Sequence, residues 1–200
     1  MPSKRHHFVP EVYLNEFRAD DGKLTVFRKE KPSEPFRAVP SNVALQGYYY
    51  SFTRKDETRD TDSLEQIFSA VESLWPTTIS NLRARANIGD VTENLLEFAS
   101  IQRARVPAIR DAFELMRADS VRSTARVLQR FGKLPEAPAG FESILDNFEI
   151  SVDPESSIKA IGSTLDGMID RVFPLLGFSV IHNKTNIDFI TSDNPVMWYD

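Results

Sequence analysis

Four groups of side chains in this 200-residue sequence have the types and spacing to do chemistry. His6 and His7 stand side by side just before Val9-Pro10, and the chain has only one other histidine, His182. Histidine titrates near neutral pH and is the commonest metal ligand, so the pair reads as a general base or a ligand. Adjacent side chains diverge, so at most one enters a given site. The other reading is a terminal loop whose histidines are solvated or satisfy a cap. Ser192-Asp193-Asn194-Pro195 follows an apolar strand-like run, and a carboxylate with an amide at a strand end suits a metal, a sugar or a phosphate-bound cation. It equally suits an Asx turn before a proline. In the run from Gln102 to Arg110, Gln102 falls on an apolar stripe, where a buried amide must find partners. Arg105 and Arg110 flank Pro107, where a kink frees backbone carbonyls. That run reads as part of a site, or as arginines bracing a kink with a glutamine that sets helix register.

The fourth group is charge. The chain carries a net −5, yet residues 102–133 hold eight basic side chains against three acidic ones. Arg103, Arg110 and Arg117 are seven apart, and Arg122, Arg126 and Arg130 are four apart. Each trio therefore lines one helix face, able to track phosphates or to dock a protein. Glu114 is placed to pair with Arg110 or Arg117 within the helix, which competes with that use. Glu65 and Glu72 share a helix face two turns apart, about 10 Å along the axis. That is too far for one metal ion, although either could join a site with a residue from another element; otherwise they read as surface acids.

The elements that must position these groups are set by periodicity. Val9, Tyr13, Leu14 and Phe17 share a helical face, Asp20-Asp21-Gly22 is a turn, and Leu24–Phe27 is a strand. Pro32, Pro35 and Pro40 break up the next segment, Tyr48–Phe52 reads as a short strand, and 54–61 as a charged loop. Asp62-Ser63-Leu64-Glu65 has the form of a capping box ahead of a helical stripe, with Pro76 predicting a break near Leu74. Thr92 is placed to cap a helix with the stripe Leu95, Ala99, Gln102, Val106, Ile109, Phe113 and Met116, kinked at Pro107. Another helix is expected over about 120–131 and another over 153–172. Phe178–Ile181 and Asp188–Thr191 read as a β-hairpin, and the chain ends inside a further apolar run, which suggests truncation.

Composition bounds the function classes. The 41% apolar and 26% charged content fits one soluble domain over residues 1–200. With no cysteine, disulfide scaffolds, thiol catalysis and cysteine-ligated metals are excluded. No run approaches the ~18 apolar residues of a membrane helix, so no membrane partner and a cytoplasmic location are expected. Dinucleotide, P-loop, zincin, hydrolase-elbow and kinase motifs are all missing.

The segment His6–Phe17, followed by Gly22–Phe27, resembles the opening of a bacterial family catalogued as domain of unknown function 4238. Leu64-Glu65 and Glu72, then Gln102 through Arg105 to Pro107 and Arg110, then Ile190–Pro195, fall in the order of that family's blocks. The resemblance implies no established activity. It implies that His6, His7, Gln102, Arg105, Arg110, Ser192, Asp193 and Asn194 belong together.

The expected fold is α+β: a mostly helical bundle with a small antiparallel sheet built from the N- and C-terminal segments. The histidine segment is expected near the Ser192–Pro195 turn, with the Gln102–Arg110 helix beneath. The expected function is a metal-assisted phosphodiester hydrolase acting on nucleic acid. In it His6 or His7 is ligand or base, a divalent metal sits on His7 and Asp193, and Arg105 or Arg110 stabilises charge. Gln102, Ser192, Asn194, Arg122, Arg126 and Arg130 contact substrate or partner. The alternative is a non-catalytic binding or regulatory module, for instance a defence-system component, that docks a partner on its arginine face. An enzyme acting on small phosphorylated or sugar ligands is a third.

Overall fold

The computed structural model describes residues 5–135, 140, 150, 155–156, 158, 175 and 177–197. Its β structure is three two-stranded antiparallel ladders: β1 (Arg5–His7) with β4 (Leu45–Gly47), β2 (Leu24–Arg28) with β3 (Lys31–Ala38), and β5 (Phe52–Thr53) with β6 (Arg59–Asp60). The helices are α1 (Glu11–Leu14), α2 (Ser63–Glu72), α3 (Trp75–Arg83), α4 (Gly89–Arg105) and α5 (Pro107–Arg130). The α+β class holds. Among the described residues, however, every ladder lies within residues 5–60, and the C-terminal segment adds no strand.

That segment corrects the expected hairpin. The turn forms, with the Asn183 carboxamide accepting from the Thr185 amide at 2.9 Å and donating to the Ile187 carbonyl at 2.7 Å, but residues 178–181 and 188–191 do not pair. An isolated two-stranded hairpin is marginal in water, and here the chain is tied elsewhere. Tyr13 Oη lies 2.8 Å from Thr191 Oγ1, and Arg103 Nη1 donates to the Val196 carbonyl at 3.3 Å. The expected helix over 153–172 lies outside the described residues except for helical Glu155, Ser156 and Ile158.

The prolines of β3 do not break it. In a two-stranded ladder each strand keeps one open edge, where a missing N–H costs nothing. Tyr48–Tyr50, in contrast, form a turn rather than a strand, with Tyr48 at φ 55°, and this folds Tyr49 and Tyr50 inward. They join Phe68, Val71, Trp75, Phe98 and Ile101 in the main core. Trp75 stacks on Phe98 at 4.0 Å, and Tyr50 meets Phe68 edge-on at 4.9 Å. Val9, Leu14 and Leu24 form a second cluster.

Prolines set the helix breaks as predicted. Pro76 occupies the first turn of α3, separated from α2 at Ser73-Leu74. At Pro107 the kink is a full break: Val106 alone is extended (φ −77°, ψ 146°) between α4 and α5, because proline's ring pushes the preceding residue out of the helical region. Two expected caps are corrected. The N-terminal amide of α2 is held by Asp60, whose carboxylate accepts from the Ser63 and Asp62 amides at 2.9 and 3.1 Å, rather than by the Asp62 side chain. Thr92 lies inside α4 and donates back to the Ile88 carbonyl. The expected helix near 120–131 is the distal part of α5, none of whose 24 residues is buried, Met116 included. Central α4 packs on α2, α3 and α5.

Candidate active site

Strand alternation separates the two histidines. In β1, paired Arg5↔Gly47, His6↔Gln46 and His7↔Leu45, successive side chains face opposite sides. His6 is fully buried: its Nδ1 accepts from the Tyr50 amide at 2.9 Å and its ring stacks on Tyr50. It is part of the core. His7 is half-buried, and its Nε2 is enclosed with no hydrogen-bond partner among the described residues. Burial lowers the His7 pKa; the Glu11 carboxylate opposes that shift, and the Arg105 and Arg5 charges add to it.

A polar network anchors this strand to α4 and α2. The Phe8 carbonyl accepts from Gln102 Nε2 at 2.9 Å and from Arg105 Nε at 3.3 Å. Arg105 Nη1 reaches Glu72 Oε1 at 2.6 Å, and its guanidinium lies over the Phe68 ring at 4.9 Å. The Tyr50 hydroxyl donates towards the carbonyls of His7 and Arg105, 3.3 Å from each. A tyrosine therefore serves the carbonyl freed by the Pro107 break. Arg105 is 2% exposed and bonded to Phe8 and Glu72, so it is a positioning residue. Gln102 Oε1 is enclosed and without a partner among the described residues.

Glu65 and Glu72 are more than surface acids. With Phe68 they share one face of α2, turned towards Arg105. Burial raises the Glu65 pKa to about 7, with the neighbouring Glu72 and Asp62 charges adding and Arg105 opposing. The sequence signal was their seven-residue spacing; it carried no hint that an arginine two helices later would lie against them.

Arg110 is half-buried, lies over the Tyr49 ring at 5.1 Å and pairs with Glu114. The Asn194 amide donates to Ser192 Oγ at 3.1 Å, forming the turn, while Asn194 Oδ1 is enclosed without a partner among the described residues. Asp193 is exposed. Arg122 pairs with Asp119, and Arg126 and Arg130 are exposed on α5. The structure thus ties the histidine strand to α4 through Gln102 and Arg105, and residues 191–196 to the same helix through Arg103. Among the described residues no three histidine, aspartate or glutamate side chains converge closely enough to hold a metal ion.

The family described as "protein of unknown function (DUF4238)" matches residues 5–200, and the chain belongs to it. The chain matches no curated protein and no solved structure. No helix among the described residues is long and apolar enough to cross a membrane.

Proposed function

We propose that this protein is a bacterial, cytoplasmic phosphodiester hydrolase acting on nucleic acid, with His7 as its base. The observation that carries the reading is the enclosed, unpartnered His7 Nε2 beside the Arg105–Glu72 pair. A buried nitrogen with no protein partner takes a water. In this reading that water is the nucleophile: His7 accepts its proton as the new P–O bond forms. Glu65, protonated near neutral pH, gives its proton to the leaving oxygen as the old bond breaks. Arg105 positions both groups, and Arg110 is the arginine with access to substrate. Among the described residues the donor set offers no three-ligand metal centre, and the steps are written for the side chains alone. The test is cleavage of single- and double-stranded DNA and RNA, with Mg²⁺, Mn²⁺ or a chelator, by the wild type, His7→Ala and Glu65→Gln. Cleavage lost in both variants, with the fold intact by circular dichroism, supports the reading; equal cleavage by His7→Ala ends it.

One observation favours the second reading, a binding or regulatory module of the kind found in defence systems. Helix α5 runs 24 residues without burying one and presents Arg126 and Arg130 to solvent. Under this reading the helix docks nucleic acid or an acidic protein, and the His7 network is structural.

A further inference from the structure

Helices α3 and α5 end in the same way but with different residues. At α5 the Lys133 amide donates to the Leu128 carbonyl and the Gly132 amide to the Gln129 carbonyl, with Gly132 at φ 62°. At α3 the Ala86 amide donates to the Asn81 carbonyl and the Arg85 amide to the Leu82 carbonyl, with Arg85 at φ 55°. This double closure requires a left-handed residue, which glycine adopts without steric cost and a side-chain-bearing residue does not. The backbone alone would favour glycine at position 85, so the guanidinium needs a reason of its own.

The cleft it lines supplies one. Arg85, His182 and Lys184 line a cavity of about 290 Å³ between the end of α3 and the 180–184 segment; Leu82, Ile88 and Val180 provide apolar wall. None of the three basic side chains has an acidic partner among the described residues. Three basic side chains beside an apolar wall, none with an acidic partner among the described residues, suit an anion with an apolar body. The volume lies just under the roughly 300 Å³ at which ligand pockets start, so the occupant is one small molecule.

We propose that this cleft binds a phosphate monoester of nucleoside monophosphate size. Arg85 and Lys184 hold the phosphate, His182 donates a further hydrogen bond, and the base lies on Leu82, Ile88 and Val180. Guanidinium and ammonium groups supply charge-assisted bonds to phosphate oxygens, and the apolar wall separates this ligand from inorganic phosphate. The site does not depend on hydrolysis at His7, and its test reads binding alone.

The experiment is isothermal titration of the full chain with adenosine monophosphate, adenosine and inorganic phosphate, repeated on Arg85→Gly and Lys184→Met. The expected result is saturable binding of the monophosphate, with adenosine and phosphate each at least about tenfold weaker. Each variant loses roughly tenfold or more in affinity, the scale of one charge-assisted bond. Arg85→Gly is the decisive variant, because glycine suits φ 55° and its melting temperature should hold or rise while binding falls. No saturable binding up to about 10 mM, a range that covers millimolar ligands, would overturn the proposal. So would unchanged affinity in Arg85→Gly, or inorganic phosphate binding as tightly as the monophosphate.

Discussion

Arg105 and Glu72 meet at 2.6 Å across the α2–α4 packing, the arginine almost wholly excluded from water and the glutamate only partly so. The asymmetry decides what each contributes. Glu72 can regain water if its partner is removed, whereas Arg105 cannot, and a buried charge without a partner is costly.

The first prediction concerns that pair. Glu72→Gln leaves the buried Arg105 guanidinium without its carboxylate and should cost about 3 kcal/mol, the range for breaking a buried pair. Urea denaturation of the purified variant measures it. A loss below about 1 kcal/mol, the worth of an exposed pair, would show that Arg105 is satisfied without Glu72.

Asp60 gives an acid-stability prediction. Hydrogen bonds from Ser63, its amide and its hydroxyl, together with Arg54 hold this carboxyl well below the usual range, against its burial. A depressed folded-state pKa contributes stability above the unfolded value of about 3.9, and that contribution is lost as pH falls through the folded value. Asp60→Asn keeps the acceptor but loses the charge that strengthens its bonds to Ser63 and Arg54, and should cost about 1 kcal/mol at pH 7, the difference between a charged and a neutral hydrogen bond. The gap between the melting temperatures of the two proteins should narrow below about pH 4. A gap constant with pH would refute the assignment.

These two residues also show what the sequence made legible. The breaks at Pro76 and Pro107, the turn at Gly22 and the α2 stripe obey local rules, and the structure has them. Gln102 was recognisable as a buried amide on an apolar stripe. Its partner, the Phe8 carbonyl, was not, because a backbone acceptor 94 residues away leaves no mark in side-chain spacing. Asp60 was missed for a related reason: the Asp62–Glu65 pattern matched a capping box, and a carboxylate two residues earlier instead takes the Asp62 and Ser63 amides. The β propensity of 178–191 was real, but propensity is weak where no sheet receives the strand.

The arginine face makes a binding prediction. Arg122, Arg126 and Arg130 lie on a helix none of whose residues is fully buried, so Arg122→Glu, Arg126→Glu and Arg130→Glu together should leave the melting temperature within a few degrees. If α5 tracks phosphates, nucleic-acid affinity falls and the dependence of log K on log salt flattens by up to about 3, near 0.9 per neutralised phosphate. Arg122 contributes less because Asp119 already pairs with it. Fluorescence anisotropy across a salt series measures both quantities. An unchanged slope would assign the helix to a protein partner or to solvent. Cleavage of a small phosphodiester by the triple variant should remain at the wild-type rate.

Glu65 makes the last prediction, and its sign is opposite to that of Asp60. Burial raises its folded-state pKa from 4.5 to about 7, so between those values the folded protein holds a proton that the unfolded chain has released. Stability therefore falls as pH rises through that window, and above about 7 the folded state carries a half-buried carboxylate near Glu72. Glu65→Gln, neutral throughout, should be the more stable protein at pH 8, by about 1 kcal/mol once solvent screening is allowed for. At pH 4 the two should be nearly equal. The same titration bounds the proposed reaction. His7 works as a base above its lowered pKa and Glu65 as an acid below about 7, so the rate should peak between them and fall on both sides. Thermal melts of both proteins from pH 4 to 8, set beside the pH–rate profile, test both effects. A Glu65→Gln variant less stable than the wild type at pH 8 would show that the carboxylate is satisfied where it lies, and would remove it as the acid.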